Sequence, residues 1–198
     1  MTTSGNDDCI RVERVTEEIR RRIQSELSPQ RSAHVERVVE TALAIAEGRA
    51  EQQRQRIALA AWSHDLCREW QRETLCEEVD RANFPLTETE LQVPVMCHGP
   101  AAATVLLRDY GIRDREVLEA VRWHTTGKGG LGPVAKILYA ADYLEPGRRY
   151  TSEEFRRNAL GDTVEGMILR ILEHLRSRGL SFAPETRELY DEVSQHVE

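Results

Sequence analysis

Six side chains able to ligate a transition metal lie on or beside otherwise apolar stretches: His34, His64, Asp65, His98, His124 and Asp142. Imidazole nitrogen and carboxylate oxygen suit a divalent ion such as iron or manganese. The doublet His64-Asp65 closes the apolar run Ile57-Ala-Leu-Ala-Ala-Trp-Ser63. Successive helical residues point about 100° apart, so the doublet alone cannot enclose an ion. Other ligands must converge on it from elsewhere in the chain.

Taken singly, each of these residues has a plain explanation. An inward histidine can be a hydrogen-bonded core residue, and an aspartate at a helix end can be a cap. Jointly they are harder to dismiss, because buried ionisable groups are costly unless paired or metal-bound. The set has more nitrogen ligands than magnesium needs and lacks the thiolates of structural zinc. One or two transition ions, iron or manganese, are expected. Four cations interleave with the ligands: Arg31, one turn before His34; Arg68, just after Asp65; Lys136, six residues before Asp142; and Arg148, six after it. They point to an anionic, phosphate-bearing substrate. Thr125-Thr-Gly127, directly after His124, offers hydroxyls and backbone amides in a glycine-rich loop that could approach phosphate.

Helices must position these groups, and helical spacing is what the chain shows. Ile10, Val12, Val15, Ile19 and Ile23 repeat at helical intervals over 8–27. Ser28-Pro29 caps and starts a second helix carrying His34 beside Val35, Val38 and Val39, with Gly48 as its stop. A third helix over 50–68 carries the doublet. A short helix over 74–81 precedes the breaker Asn83-Phe84-Pro85, and Thr87-Glu-Thr-Glu90 reads as a capping box. His98 is expected in a turn before a helix opened by Pro100. Asp114 caps a helix that ends near His124, Pro133 starts one that holds Asp142 in its last turn, and further helices follow over 153–160, 162–178 and from Pro184. No β alternation of useful length occurs, so the fold class is all-α, a single helical domain over 9–198 behind a polar, disordered tail at 1–8.

Composition narrows the function. The chain has 198 residues and a net charge of −7, without the basic footprint of a nucleic-acid binder. No apolar run approaches the ~20 residues of a membrane span. Cys9, Cys67, Cys76 and Cys97 form no Cys-x-x-Cys pair and no export signal is seen, so reduced thiols and a cytoplasmic location are expected. The partner is then a small molecule, with homodimerisation left open.

Several segments resemble the HD superfamily of metal-dependent phosphohydrolases, and more narrowly its bacterial YqeK family of symmetrical diadenosine tetraphosphate hydrolases. They are Leu27-Ser-Pro-Gln-Arg-Ser-Ala-His34, His64-Asp65, His98-Gly-Pro100, His124-Thr-Thr-Gly127 and Lys136-Ile-Leu-Tyr-Ala-Ala-Asp-Tyr-Leu-Glu-Pro-Gly-Arg148. The resemblance spans about 27–191. It implies an HD helical bundle in which His34, His64, Asp65 and Asp142 hold iron, with His98 and His124 on a second ion or on the product's phosphates. Asp65, His98 and His124 are the implied catalytic set. Arg31, Thr125 and Arg148 match nucleotide contacts, and Glu185, Thr186 and Tyr190 fall in a segment that resembles the nucleoside pocket. Two positions depart from the family's pattern: Arg68 stands where lysine is usual, and Asp191 where asparagine is. Another HD nucleotide phosphohydrolase, or a non-catalytic nucleotide-sensing HD module, are the alternative readings.

Overall fold

The computed structural model describes residues 4–82 and 85–196; side chains 1–10 and that of Ala82 are outside the description. Among the described residues there are eleven α-helices and no strand. They are α1 (Ser4–Glu26), α2 (Pro29–Ile45), α3 (Glu51–Ser63), α4 (Arg72–Ala82), α5 (Glu88–Gln92), α6 (His98–Asp109), α7 (Arg115–Trp123), α8 (Pro133–Leu144), α9 (Glu153–Leu160), α10 (Val164–Ser177) and α11 (Pro184–His196). A single 3₁₀ turn, Pro94–Cys97, leads into α6. No helix of the described residues is long and apolar enough to cross a membrane.

Helix α8 is the hub. Val134, Ala135, Ile137, Leu138, Tyr139, Ala140, Ala141 and Leu144 are all buried, and a helix apolar round most of its surface belongs inside a fold. One of its faces joins a core built with α1, α2, α3, α6 and α7, where Ile19, Ile23, Val35, Val38, Ile57, Leu59 and Leu106 are sealed from solvent. The other face joins Ile168, Ile171 and Leu172 of α10 and Leu189 and Val193 of α11. Each fully buried Leu or Ile contributes about 1.5–3 kcal/mol relative to exposure, so α8 is gripped from two sides. Asp142, in its last turn, inherits that rigidity.

The helix starts follow the local chemistry. Ser28 caps α2 through the Arg31 amide, with Pro29 at the first position. Thr87 and Glu90 form the capping box of α5, and Asp114 accepts the amides of Glu116 and Val117 at the start of α7. Gly48 and Gly111 take positive φ after α2 and α6, as a left-handed stop requires.

Three expectations shift. Residues 4–8 of the expected disordered tail form the first turns of α1, and 1–3 lie outside the described residues. The third helix ends as an α-helix at Ser63, and residues 64–69 continue as turns. His98 is the first residue of α6 rather than part of a preceding turn, because Pro100 in the first helical turn has no needed N–H to lose. Asn83 and Phe84 of the expected breaker lie outside the described residues.

Candidate metal centre

Helix ends aim the histidines. An α-helix leaves its last four carbonyls without helical partners; two of the histidines use such carbonyls, and a third uses one of the 3₁₀ turn before α6. His64 Nδ1 donates to the Ala61 carbonyl at the end of α3 (2.7 Å), His98 Nδ1 to Val95 (2.5 Å) and His124 Nδ1 to Val121 at the end of α7 (2.8 Å). With the proton fixed on Nδ1, each Nε2 turns its lone pair inward. His34 sits inside α2, where the backbone carbonyls are occupied, and its Nδ1 instead meets Glu145 Oε1 at 3.1 Å.

The inward atoms form two triads. His34, His64 and Asp142 make the first; Asp65, His98 and His124 make the second. In the first, His34 Nε2 lies 3.1 Å from Asp142 Oδ1 and His64 Nε2 lies 3.9 Å from the same oxygen. In the second, His98 Nε2 and His124 Nε2 are 2.9 Å apart, and Asp65 Oδ1 is 3.3 and 3.8 Å from them. Asp65 joins the two, since its Oδ2 is 3.6 Å from both His34 and His64.

These separations can be tested against a metal. Ligand atoms about 2.1 Å from one ion stand roughly 3–3.4 Å apart at tetrahedral to octahedral angles, and the shorter distances fall in or just below that range. Two imidazole lone pairs facing each other at 2.9 Å need a cation or proton between them. His64 Nε2 is fully buried with no hydrogen-bond partner, a cost that coordination removes. The residues fit a divalent ion.

Electrostatics agree. Burial would raise Asp65, but His64, His98 and His124 outweigh it and hold the carboxyl well below its ordinary range. Asp142 is likewise depressed against burial, by its hydrogen bond to His34 and by the charge of Arg148. Burial, with the neighbouring His98 and His64, drives His124 down to about 3. His34 goes the other way: hydrogen bonds to Asp142 and Glu145 raise it in spite of burial.

Of the cations expected near the centre, the structure brings two to it. Arg31 Nη1 donates to Asp65 Oδ2 at 2.7 Å. Arg148 donates to the Asp142 carboxylate and, through Nε, to the Asp142 carbonyl at 2.9 Å, and its Nη2 is 3.4 Å from His34 Nε2. Lys136 is directed elsewhere, to Glu192 at 2.8 Å and Glu165 at 3.2 Å; six residues round a helix is ~240° from Asp142. Arg68 is half-buried and makes no side-chain hydrogen bond or ion pair to another described residue. Thr125 Oγ1 lies over the second triad, 3.1 Å from His124 Nε2 and 3.5 Å from His98 Nε2.

The segment expected to line a nucleoside pocket is used in part for packing. Thr186 Oγ1 donates to the Thr126 carbonyl at 2.7 Å, and Glu192 accepts the Gly130 amide at 2.5 Å, so α11 straps the loop after His124. Gly127, at φ +65°, lies where a Cβ would collide with Leu189 of α11. Glu185 Oε2 is buried without a partner, and Tyr190, beside Phe182, accepts from Arg176 at 3.0 Å.

Three residues have a part in the centre that their sequence context does not announce. Gly99 lets α6 approach α7, since a Cβ there would sit 2.7 Å from the Arg122 carbonyl oxygen. Glu90, beyond its capping role, forms a buried two-point ion pair with Arg122 at 2.9 and 3.0 Å, tying α5 to α7. Glu69, in the turns after Asp65, takes the amide and hydroxyl of Ser28 at 2.8 and 2.6 Å, locking α2 onto the doublet.

The HD domain family model matches residues 31–147, from Arg31 to the residue before Arg148. Three curated relatives carry the name symmetrical bis(5'-nucleosyl)-tetraphosphatase. The Bacillus subtilis protein is 30% identical over 150 residues, covering 75% of this chain and 80% of the relative. The Staphylococcus aureus protein is 32% identical over 138 residues, 67% of each. The Halalkalibacterium halodurans protein is 28% identical over 179 residues, 86% of this chain and 92% of the relative. Among solved structures, a predicted HD superfamily hydrolase involved in NAD metabolism from Clostridium acetobutylicum superposes with a TM-score of 0.77 at 24% identity, covering 91% of this chain and 97% of that one. That last likeness is one of fold.

Proposed function

The chain belongs to the HD domain family, alongside the symmetrical bis(5'-nucleosyl)-tetraphosphatases, and from that premise we propose that it hydrolyses diadenosine tetraphosphate symmetrically to two ADP, as a metal-dependent enzyme. The observation that carries the chemistry is Asp65, whose two oxygens face two separate ligand triads. A carboxylate so placed would serve both triads. We read the metal as iron, with manganese as its substitute, and the enzyme as one helical domain acting on a small molecule in the cytoplasm.

His34, His64, Asp65 and Asp142 would hold the first ion, and Asp65, His98 and His124 the second. Bound there, the metal supplies Lewis acidity toward a phosphoryl oxygen and an activated water near neutral pH. The protein's own groups do the rest. Arg31 and Arg148 border the first triad and would neutralise charge on the oligophosphate as it develops. The Thr125 hydroxyl would hydrogen-bond a phosphate oxygen beside the second triad. Glu185, with a buried acceptor oxygen and no donor, suits a ribose hydroxyl. Attack at a phosphorus beside the central bridging oxygen yields two ADP only if one nucleotide half is held in register. The loop strapped by α11 is suited to that task.

The test is product analysis. Protein reconstituted with iron or manganese is incubated with diadenosine tetraphosphate and the nucleotides are resolved. ADP alone is expected. AMP with ATP, or free phosphate, would assign a different HD phosphohydrolase activity, and nucleotide binding without turnover would assign a sensor.

A further inference from the structure

Glu145 is one of the most buried charged residues of the chain, 1% exposed, yet it touches none of the space between the triads. Both of its oxygens are committed. Oε1 meets His34 Nδ1 at 3.1 Å, while Oε2 accepts Arg37 Nε and the Gly147 amide, each at 2.5 Å. The lack of a side chain at Gly147 makes room for Arg37, whose guanidinium fills the place of a Cβ. A carboxylate buried this deeply without such partners would be strongly destabilising. Its arrangement therefore has to be explained by what it does for His34.

The other three histidines need no such help, because a backbone carbonyl three residues earlier in their own chain accepts each Nδ1 proton. His34 lies inside α2, so its partner has to come from a distant part of the chain, 111 residues on. Glu145 directly follows α8, three residues after the ligand Asp142. The end of one helix thus delivers both a ligand and the group that aims a neighbouring ligand.

We propose that Glu145, anchored by Arg37, is a positioning residue that holds the proton of His34 on Nδ1 and turns Nε2 toward the first triad, so that it sets metal affinity at that triad and not at the second. This rests on the two-triad metal reading above, but not on the identity of the substrate. Partners of this kind, hydrogen-bonded to a metal-ligating histidine, change metal affinity by about 10–100-fold when removed.

The experiment is a metal titration by chelator competition with Mn²⁺, run on wild type, Glu145→Gln and Arg37→Gln, with thermal melts of each chelator-treated protein. Gln keeps the size of Glu145 and loses its charge; Arg37→Gln leaves Glu145 and His34 both in place. Wild type is expected to show two classes of binding. Glu145→Gln should weaken one of them about 10–100-fold and leave the other unchanged, and Arg37→Gln should weaken the same class by less. Two unaltered classes in both variants would overturn the proposal while leaving the metal centre standing. Equal weakening of both classes with a matching fall in the melting temperature would also overturn it, by assigning Glu145 a purely structural role. A wild-type chain that takes up no ion would overturn it together with the metal reading.

Discussion

The two triads share Asp65 but are built differently. The first draws on the interior of α2, the last turn of α8 and, for His64, the end of α3; His34 is aimed by a carboxylate from far along the chain and Asp142 is tied to Arg148. The second is assembled from helix ends, with His98 opening α6 and His124 following α7, each aimed by a nearby backbone carbonyl. Charged side chains therefore tune the first triad, and packing of helix termini fixes the second. Arg31 and Arg148 crowd the first, whereas a neutral hydroxyl, Thr125, lies over the second.

Asp65 is where the comparison can be broken outright. Replacing it with Asn keeps the size but removes the charge shared by both triads. Activity should fall by about 10³-fold or more, because metal-assisted charge stabilisation is worth several kcal/mol and each 1.36 kcal/mol is tenfold in rate. The measurement is ADP formation from diadenosine tetraphosphate at saturating Mn²⁺. Retention of more than a tenth of the rate would show that one triad suffices and that Asp65 does not couple them.

Acid should act next, through His34. Its value lies above the ordinary one, so protons compete for it from near neutrality downward. Asp142, in the same triad, is depressed and takes up no proton between pH 7 and pH 5. Metal ligands must be deprotonated to bind. As pH falls from 7.5 to 5, protonation of His34 should therefore weaken the first triad's hold on its ion. Bound Mn²⁺ per chain, measured across that range, should fall. No loss of Mn²⁺ down to pH 5 would mean that His34 does not hold an ion.

What could be read from sequence, and what could not, divides along the same line. His34 interrupts the stripe Val35, Val38 and Val39, and Asp142 interrupts the mostly apolar α8. Polar groups on such faces are conspicuous because burying them is costly, and the members of the two triads stand out in the sequence for that reason. Glu145 follows a helix and sits in a motif with Pro146 and Gly147, so alone it reads as a terminator; its partner His34 cannot be found by spacing. Gly99 is similar, since its role depends on how closely α6 meets α7. Lys136 and Thr186 show the reverse. Their types suit phosphate or nucleotide contacts, but helical phase turns the lysine toward Glu165 and Glu192, and α11 packing commits the hydroxyl to Thr126.

Gly99→Ala tests whether packing sets the second triad. The new methyl would meet the carbonyl oxygens of Arg122 and Val121 at 2.7 and 3.1 Å, both backbone atoms of α7 and its end, so α6 must move away. Overpacking of this kind costs about 1–3 kcal/mol. A lower melting temperature is expected, together with weaker binding of one class of Mn²⁺, the class that Glu145→Gln spares. Weakening of the other class instead would reverse the assignment of the triads.

The smallest effect is expected at the strap. Thr186→Val keeps the shape of the side chain and removes its hydrogen bond to the Thr126 carbonyl, a loss of about 1 kcal/mol. The carbonyl belongs to the loop that carries Thr125 over the second triad, so the loop should loosen while the ligands themselves, fixed by helix ends, stay put. Metal stoichiometry should be unchanged, and KM for diadenosine tetraphosphate should rise a few-fold, with kcat little altered. That split separates two roles for Thr186. If its hydroxyl contacted the nucleoside directly, KM should rise with no change in thermal stability. If it serves the strap, the rise in KM should accompany a lower melting temperature and faster amide exchange at 125–130.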